Sequence, residues 1–187
     1  PIYLKCGETG ALSNNCTFDG GEKHLNLELY EIYAGIYVSG FTFQRSTGVS
    51  VKIYDESSFI ESSLLRPSDI AVTFIDCIWL ENKHLPQQKG GIVEVSQHIK
   101  SSVGFNRPVM FVRCVFSNNY APSGTIFLNS AVAILKFCEF IRNRGGWAIE
   151  LQSKASEVSS YNSCFENNVG PIYIYPGSTV PVAANGC

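Results

Sequence analysis

The sequence predicts an all-β fold, a single-stranded right-handed parallel β-helix of about six coils formed by one domain of 187 residues. Three observations carry that expectation. A phrase built on cysteine and phenylalanine recurs along the chain, an asparagine and a glycine turn follow it each time, and no segment shows a helical hydrophobic period.

The phrase is clearest at Asp76-Cys77-Ile78-Trp79, Arg113-Cys114-Val115-Phe116, Phe137-Cys138-Glu139-Phe140 and Ser163-Cys164-Phe165. Fainter copies stand at Cys16-Thr17-Phe18-Asp19-Gly20-Gly21 and Gly40-Phe41-Thr42-Phe43, with Gly40 in the cysteine's place. Taking positions 16, 40, 77, 114, 138 and 164 as anchors, the intervals are 24, 37, 37, 24 and 26 residues. Asparagine follows at Asn82, Asn119, Asn143 and Asn168, expected at a tight turn where it tolerates left-handed geometry and bonds its counterpart in the next coil. Glycine then leads into a short apolar strand at Gly91-Ile92-Val93, Gly124-Thr125-Ile126, Gly146-Trp147-Ala148-Ile149 and Gly170-Pro171-Ile172. A unit of about 24 residues, made of short β-branched strands and Gly/Asn turns, describes coils that stack strand on strand. Leucine-rich repeats would need a denser leucine framework, and a hairpin sandwich would not repeat a Cys-x-Phe anchor at one point of every unit.

Composition narrows the function classes. Hydrophobic residues make up 45% of the chain, enough for a core, and a net charge of −2 from 14 basic and 16 acidic residues offers no footprint for a phosphate backbone, so nucleic acid is not an expected partner. No apolar run reaches the ~20 residues of a membrane-spanning helix. The chain starts at Pro1 and its one methionine is Met110, which reads as a processed N-terminus. Seven cysteines and the acceptor pattern Asn15-Cys16-Thr17 lean towards secretion, a cell surface or an organelle lumen.

The phrases Phe116-x-x-Asn119, Phe140-x-x-Asn143 and Phe165-x-x-Asn168, each followed by a glycine-led strand, resemble the FxxN and GG[AST]I repeats of polymorphic outer membrane proteins. They also resemble the wider pectate-lyase-like superfamily of right-handed β-helices. The opening from Leu4-Lys5-Cys6 to Gly40-Phe41-Thr42-Phe43 is similar to β-helical extracellular proteins of algae and bacteria. The likeness spans residues 2–176 and implies the fold; the shared residues are those that build coils, so it transfers no catalytic set.

Each candidate site has a plain structural reading beside it. Cys77, Cys114, Cys138 and Cys164 are expected as an inward column of free thiols, because in-register strands hold Cβ atoms ~4.8 Å apart, wider than the ~3.8 Å of a disulfide. Cys6 and Cys16, ten residues apart ahead of the regular coils, are the disulfide candidates, while Cys187 either caps the far end or pairs outside the chain. No metal centre or cofactor is expected: there is no Cys-x-x-Cys, and His24, His84 and His98 are isolated. If Val51, Val93, Ile126, Ile149 and Ile172 point inward, Lys52, Glu94, Phe127, Glu150 and Tyr173 form an outward stripe, the best surface for a ligand. Glu94 and Glu150 would lie ~9.6 Å apart at the backbone, at the edge of the ~6.5–9.5 Å between carboxyl groups of an inverting glycosidase. A solvated face carries two glutamates just as readily.

The two long units carry insertions at residues 54–69 and 96–107, expected side by side. Phe59, Ile60, Leu64 and Leu65 in the first, and Ile99, Val103 and Phe105 in the second, cover a sheet face or meet a partner. The termini, Pro1 to Gly10 and Val180 to Cys187, or else another polypeptide, are expected to fold over the open ends. The functional expectation is a non-catalytic module presenting a rigid surface to a protein or glycan, alone or within a larger assembly. The alternative is a polysaccharide lyase or glycoside hydrolase working along the stripe.

Overall fold

The computed structural model describes residues 1–11, 14–30, 35–56, 70–86, 89–97, 107–174 and 176, with the backbone alone at 182–183. Val, Ile, Phe and Tyr alternate with polar residues in runs that are mostly three to five long and reach ten in the longest strand, which suits pleated strands. Coil 1 contains β1 (Ile2–Lys5), β2 (Cys16–Asp19) and β3 (Leu25–Leu29); coil 2 contains β4 (Ile36–Ser39), β5 (Phe41–Gln44) and β6 (Val51–Asp55). Coil 3 follows with β7 (Val72–Ile75), β8 (Ile78–Leu80) and β9 (Gly91–Gln97), and coil 4 with β10 (Val109–Val112), β11 (Val115–Ser117) and β12 (Tyr120–Asn129). Coil 5 is β13 (Val132–Lys136), β14 (Glu139–Ile141) and β15 (Arg144–Leu151); coil 6 is β16 (Glu157–Tyr161), β17 (Cys164–Glu166) and β18 (Ile172–Ile174). A last strand, β19 (Val182–Ala183), opens a seventh turn.

Every third strand joins the same sheet. The first sheet runs β1-β4-β7-β10-β13-β16-β19, the second β2-β5-β8-β11-β14-β17, and the third β3-β6-β9-β12-β15-β18. All pairings between named strands are parallel, so the chain winds as a three-sided parallel β-helix. The end strands β1 and β19 extend the first sheet edge-on, so Ile2–Lys5 do not form the lid expected of Pro1 to Gly10; most of Val180 to Cys187 lies outside the described residues.

The interior is ordered in columns. Phe18, Phe43, Trp79, Phe116, Phe140 and Phe165 stack face to face with centroid separations of 5.3, 5.0, 4.7, 4.6 and 4.8 Å. This aromatic ladder is the true repeat anchor, and it moves two assignments by one residue. Two positions before each ring lie Cys16, Phe41, Cys77, Cys114, Cys138 and Ser163, so Gly40 and Cys164 do not belong to the thiol column. Gly40 instead occupies the corner before β5 at φ 77°, where an added Cβ would meet the Gly10 carbonyl oxygen at 2.3 Å. Cys164 pairs with Glu139, is only half-buried, and is disulfide-bonded; Ser163 takes the inward place and accepts the Cys138 N–H at 3.1 Å. A one-residue slip reverses the face, which is the physical reason for the correction. Cys77, Cys114 and Cys138 are free and buried. A disulfide joins Cys6 to Cys16 with Cα atoms 5.6 Å apart; Cys187 lies outside the described residues.

Two corners per coil are left-handed, each a single residue except where Gly20 and Gly21 follow one another in coil 1. Before the second sheet they are Asn15, Gly40, Asp76, Arg113, Phe137 and Asn162, and after it Gly20, Arg45, Glu81, Asn118, Arg142 and Asn167. The repeated asparagines therefore sit one position beyond the left-handed residue, correcting the geometry expected of them. Their side chains turn inward. Asn82 Nδ2 donates to Asn119 Oδ1 at 3.0 Å, Asn119 to Asn143 at 3.0 Å, and Asn143 to Asn168 at 2.9 Å. Each Oδ1 also accepts the backbone N–H of the preceding coil's residue, from Ser46 onto Asn82 through to Asn143 onto Asn168. Each Nδ2 also donates to a carbonyl of the aromatic ladder, at Phe43, Trp79, Phe116 and Phe140. Buried amides are tolerable because this ladder satisfies them.

Candidate functional site

Lys52, Glu94, Phe127, Glu150 and Tyr173 occupy one register row on the outer side of the third sheet, with Asn26 before them. Their inward neighbours Val51, Val93, Ile126 and Ile149 are fully buried, which holds the row at constant height. Lys52 Nζ lies 3.3 Å from Glu94 Oε1. Phe127, at 6% exposure, is covered although it points away from the core, and forms a floor between the two glutamates. Burial pushes the Glu150 carboxyl above the usual glutamate range, and the Lys89 charge pulls it partly back. Tyr173 packs against Trp147 at 5.8 Å between centroids, and both rings remain more than a third exposed.

Two concavities flank the row. The larger, about 480 Å³, is lined by Glu22, Lys23, Thr47, Gly48, Val49, Lys52, His84, Leu85, Lys89 and Glu94. The smaller, about 230 Å³, is lined by Pro122, Ser123, Trp147, Glu150, Gln152 and Tyr173. The strand starts create this relief: β12 is bulged between Ala121 and Gly124, and Gly146 is backed by the Ser123 carbonyl oxygen, 2.0 Å from where its Cβ would stand.

His84, isolated in the sequence, lines the larger cavity. It is 1% exposed, and neither ring nitrogen has a partner in hydrogen-bond geometry, although the Leu85 backbone lies near enough to favour the protonated ring weakly. Burial lowers its pKa from 6.5, so the ring is neutral at neutral pH. A signal for it exists in the sequence. Two residues after Ser46 and the repeated asparagines Asn82, Asn119, Asn143 and Asn168 the chain has Gly48, His84, Ala121, Gly145 and Gly170, so one imidazole interrupts a column of small residues.

At the roots of the two insertions, Asp55 pairs in register with Gln97, so the strand ends from which they depart are adjacent. Arg107 reaches Asp55 at 3.3 Å, both nearly fully buried, and Gln97 Nε2 donates to the Arg107 carbonyl at 2.6 Å. Residues 57–69 and 98–106, with the apolar side chains expected to cover a sheet or a partner, lie outside the described residues, as does His98.

Among the described residues no three His, Cys, Asp or Glu side chains converge on a metal position, and no helix is long and apolar enough to cross a membrane. The site offers stacking on two exposed rings and hydrogen bonding from fixed polar groups along one straight face. Comparison with protein families, with characterised proteins and with solved structures returns no match for this chain.

Proposed function

We propose that this chain is a non-catalytic β-helical module, secreted or displayed at a cell surface or in an organelle lumen, whose third-sheet face binds a glycan. The observation that carries the reading is the Trp147–Tyr173 pair, two exposed rings beside Glu150 and Gln152 in one concavity. Sugar rings present apolar C–H faces and a rim of hydroxyls, so rigid aromatics next to hydrogen-bonding side chains match both at small entropic cost. The Cys6–Cys16 disulfide supports an oxidising compartment. A distant relationship to pectate-lyase-like β-helices, resting on the repeat phrases, belongs to the same proposal, as does membership of a larger assembly.

The test is a carbohydrate array followed by calorimetry on any glycan retained. Trp147→Ala is expected to weaken binding at least tenfold. Retention of no glycan, or equal affinity in Trp147→Ala, would remove the reading. The alternative of a polysaccharide-active enzyme has its own signature, glycan turnover abolished by Glu94→Gln or Glu150→Gln; that result would displace the non-catalytic assignment.

A further inference from the structure

Three polar atoms without partners among the described residues border the larger cavity, two of them buried behind its lining. Glu94 Oε1 is engaged by Lys52, while Glu94 Oε2 has no hydrogen bond. Both nitrogens of His84 are likewise unpaired, in a side chain that is 1% exposed. Gly90 separates the two groups: a methyl added there would stand 3.1 Å from Glu94 Oε2 and 3.3 Å from His84 Nε2. The bare glycine leaves room between carboxylate and imidazole, at φ 144°, a conformation that L side chains rarely adopt.

The two buried ring nitrogens cost about 1–3 kcal/mol each when unpaired, whereas Glu94 Oε2 is not buried, so it is the imidazole that calls for a partner and the carboxylate oxygen beside it that helps define one. A neutral imidazole presents one N–H donor and one acceptor nitrogen, and the carboxylate oxygen is an acceptor. An anion would answer the N–H and be drawn by Lys23, Lys52 and Lys89 in the lining, yet at the His84–Glu94 position it would face the acceptor nitrogen and the Glu94 carboxylate, with Glu22 adding to the repulsion. An ammonium would answer the acceptors and leave the N–H unpaired. A hydroxyl both donates and accepts, so adjacent hydroxyls fit all three. We infer that the His84–Glu94 pocket over Gly90 is a subsite for the hydroxyl groups of an uncharged sugar, lying along the same face as the Trp147–Tyr173 platform.

This inference rests on the glycan reading and names its ligand class. Glu94 and Glu150 are two coils apart in the row, ~9.6 Å at the backbone, a distance that a short oligosaccharide spans, with Phe127 as the floor between. The ring nitrogens are shut off from bulk solvent, so a hydroxyl reaches them when lining side chains turn aside. The partly exposed Lys52–Glu94 pair contributes only ~0–1 kcal/mol and gives way readily.

The probes are neutral hexasaccharides of β-1,3-, β-1,4- and α-1,4-linked glucose, with hexagalacturonate as the anionic comparison. Calorimetry on the whole chain is combined with NMR of the imidazole nitrogens. The expected result is that a neutral hexasaccharide binds, shifts the His84 ring resonances at saturation, and binds at least tenfold more weakly to Gly90→Ala. Because Gly90→Ala strains the backbone, the His84 resonances of the unmutated protein decide the matter independently. Binding lost in Trp147→Ala but leaving the His84 ring unmoved would keep the glycan reading and overturn the subsite. Binding of hexagalacturonate alone would overturn the uncharged ligand class and leave a glycan module standing. Binding of none would overturn both.

Discussion

A single asparagine in this fold does the work of several backbone groups. Asn119 accepts the backbone N–H and the side-chain amide of Asn82, donates to the Trp79 carbonyl, and donates to Asn143. Replacing it by alanine removes its own donors and orphans two buried donors on Asn82. At ~1–3 kcal/mol for each unsatisfied group, Asn119→Ala is expected to cost on the order of 2–5 kcal/mol. Asn168→Ala, at the partly buried end of the ladder, is expected to cost less. Urea denaturation of the two variants checks this, and equal losses would show that the ladder does not transmit the penalty. At the left-handed corners, by contrast, side chains are interchangeable. Asp76, Arg113, Phe137 and Asn162 adopt the same φ, 50–58°, because the corner is imposed by the coils on either side. Arg113 and Asp76 add a two-point ion pair at 2.7 and 2.8 Å, exposed and worth ~0–1 kcal/mol.

The strands are short, three to five residues over most of the first two sheets, and none would persist alone. They are held by neighbours in register, which makes close approach between coils the controlling geometry. Gly146 is the severest case: its Cβ would fall 2.0 Å from the Ser123 carbonyl oxygen and 2.5 Å from that of Pro122, both backbone atoms that cannot swing away. Gly146→Ala is expected to destabilise the protein by ~1–3 kcal/mol and to splay β12 from β15. Thermal unfolding together with amide exchange over β12 and β15 would reveal it, and an unchanged melting temperature would contradict the packing described. The same strand start carries Trp147, so the turn that makes the sheet close-packed also sets the aromatic platform.

At the scale of the whole molecule, stability is a stacked property in which each coil is stabilised by the next. Its pH dependence follows from the two described histidines. Burial holds both His24 and His84 below the ordinary value of 6.5, so the native chain binds fewer protons there than the unfolded chain. Their contribution is complete above about pH 6.5 and declines as pH falls from there through the native values. Glu150, raised by burial, acts in the opposite sense, gaining stability as pH falls through its native value. The urea midpoint is therefore expected to be lower at pH 5.5 than at pH 7.5, with a smaller difference in His84→Gln. A midpoint that rises on acidification would refute this account.

The fold was legible because a β-helix writes its period into the chain. Phenylalanine two residues after cysteine, then asparagine and glycine at set offsets, marks the stacking of equivalent strands, and the alternation around Val51, Val93, Ile126 and Ile149 places Lys52, Glu94, Phe127, Glu150 and Tyr173 in one row. Only tertiary structure decided the register to the single residue. Whether Cys164 or Ser163 faces inward depends on which side chain continues the aromatic stack, an energy shared between coils and invisible within one. Tertiary structure likewise decided that His84 borders a cavity, because two unpaired ring nitrogens are a property of what surrounds them in space, and those surroundings come from coils distant along the chain.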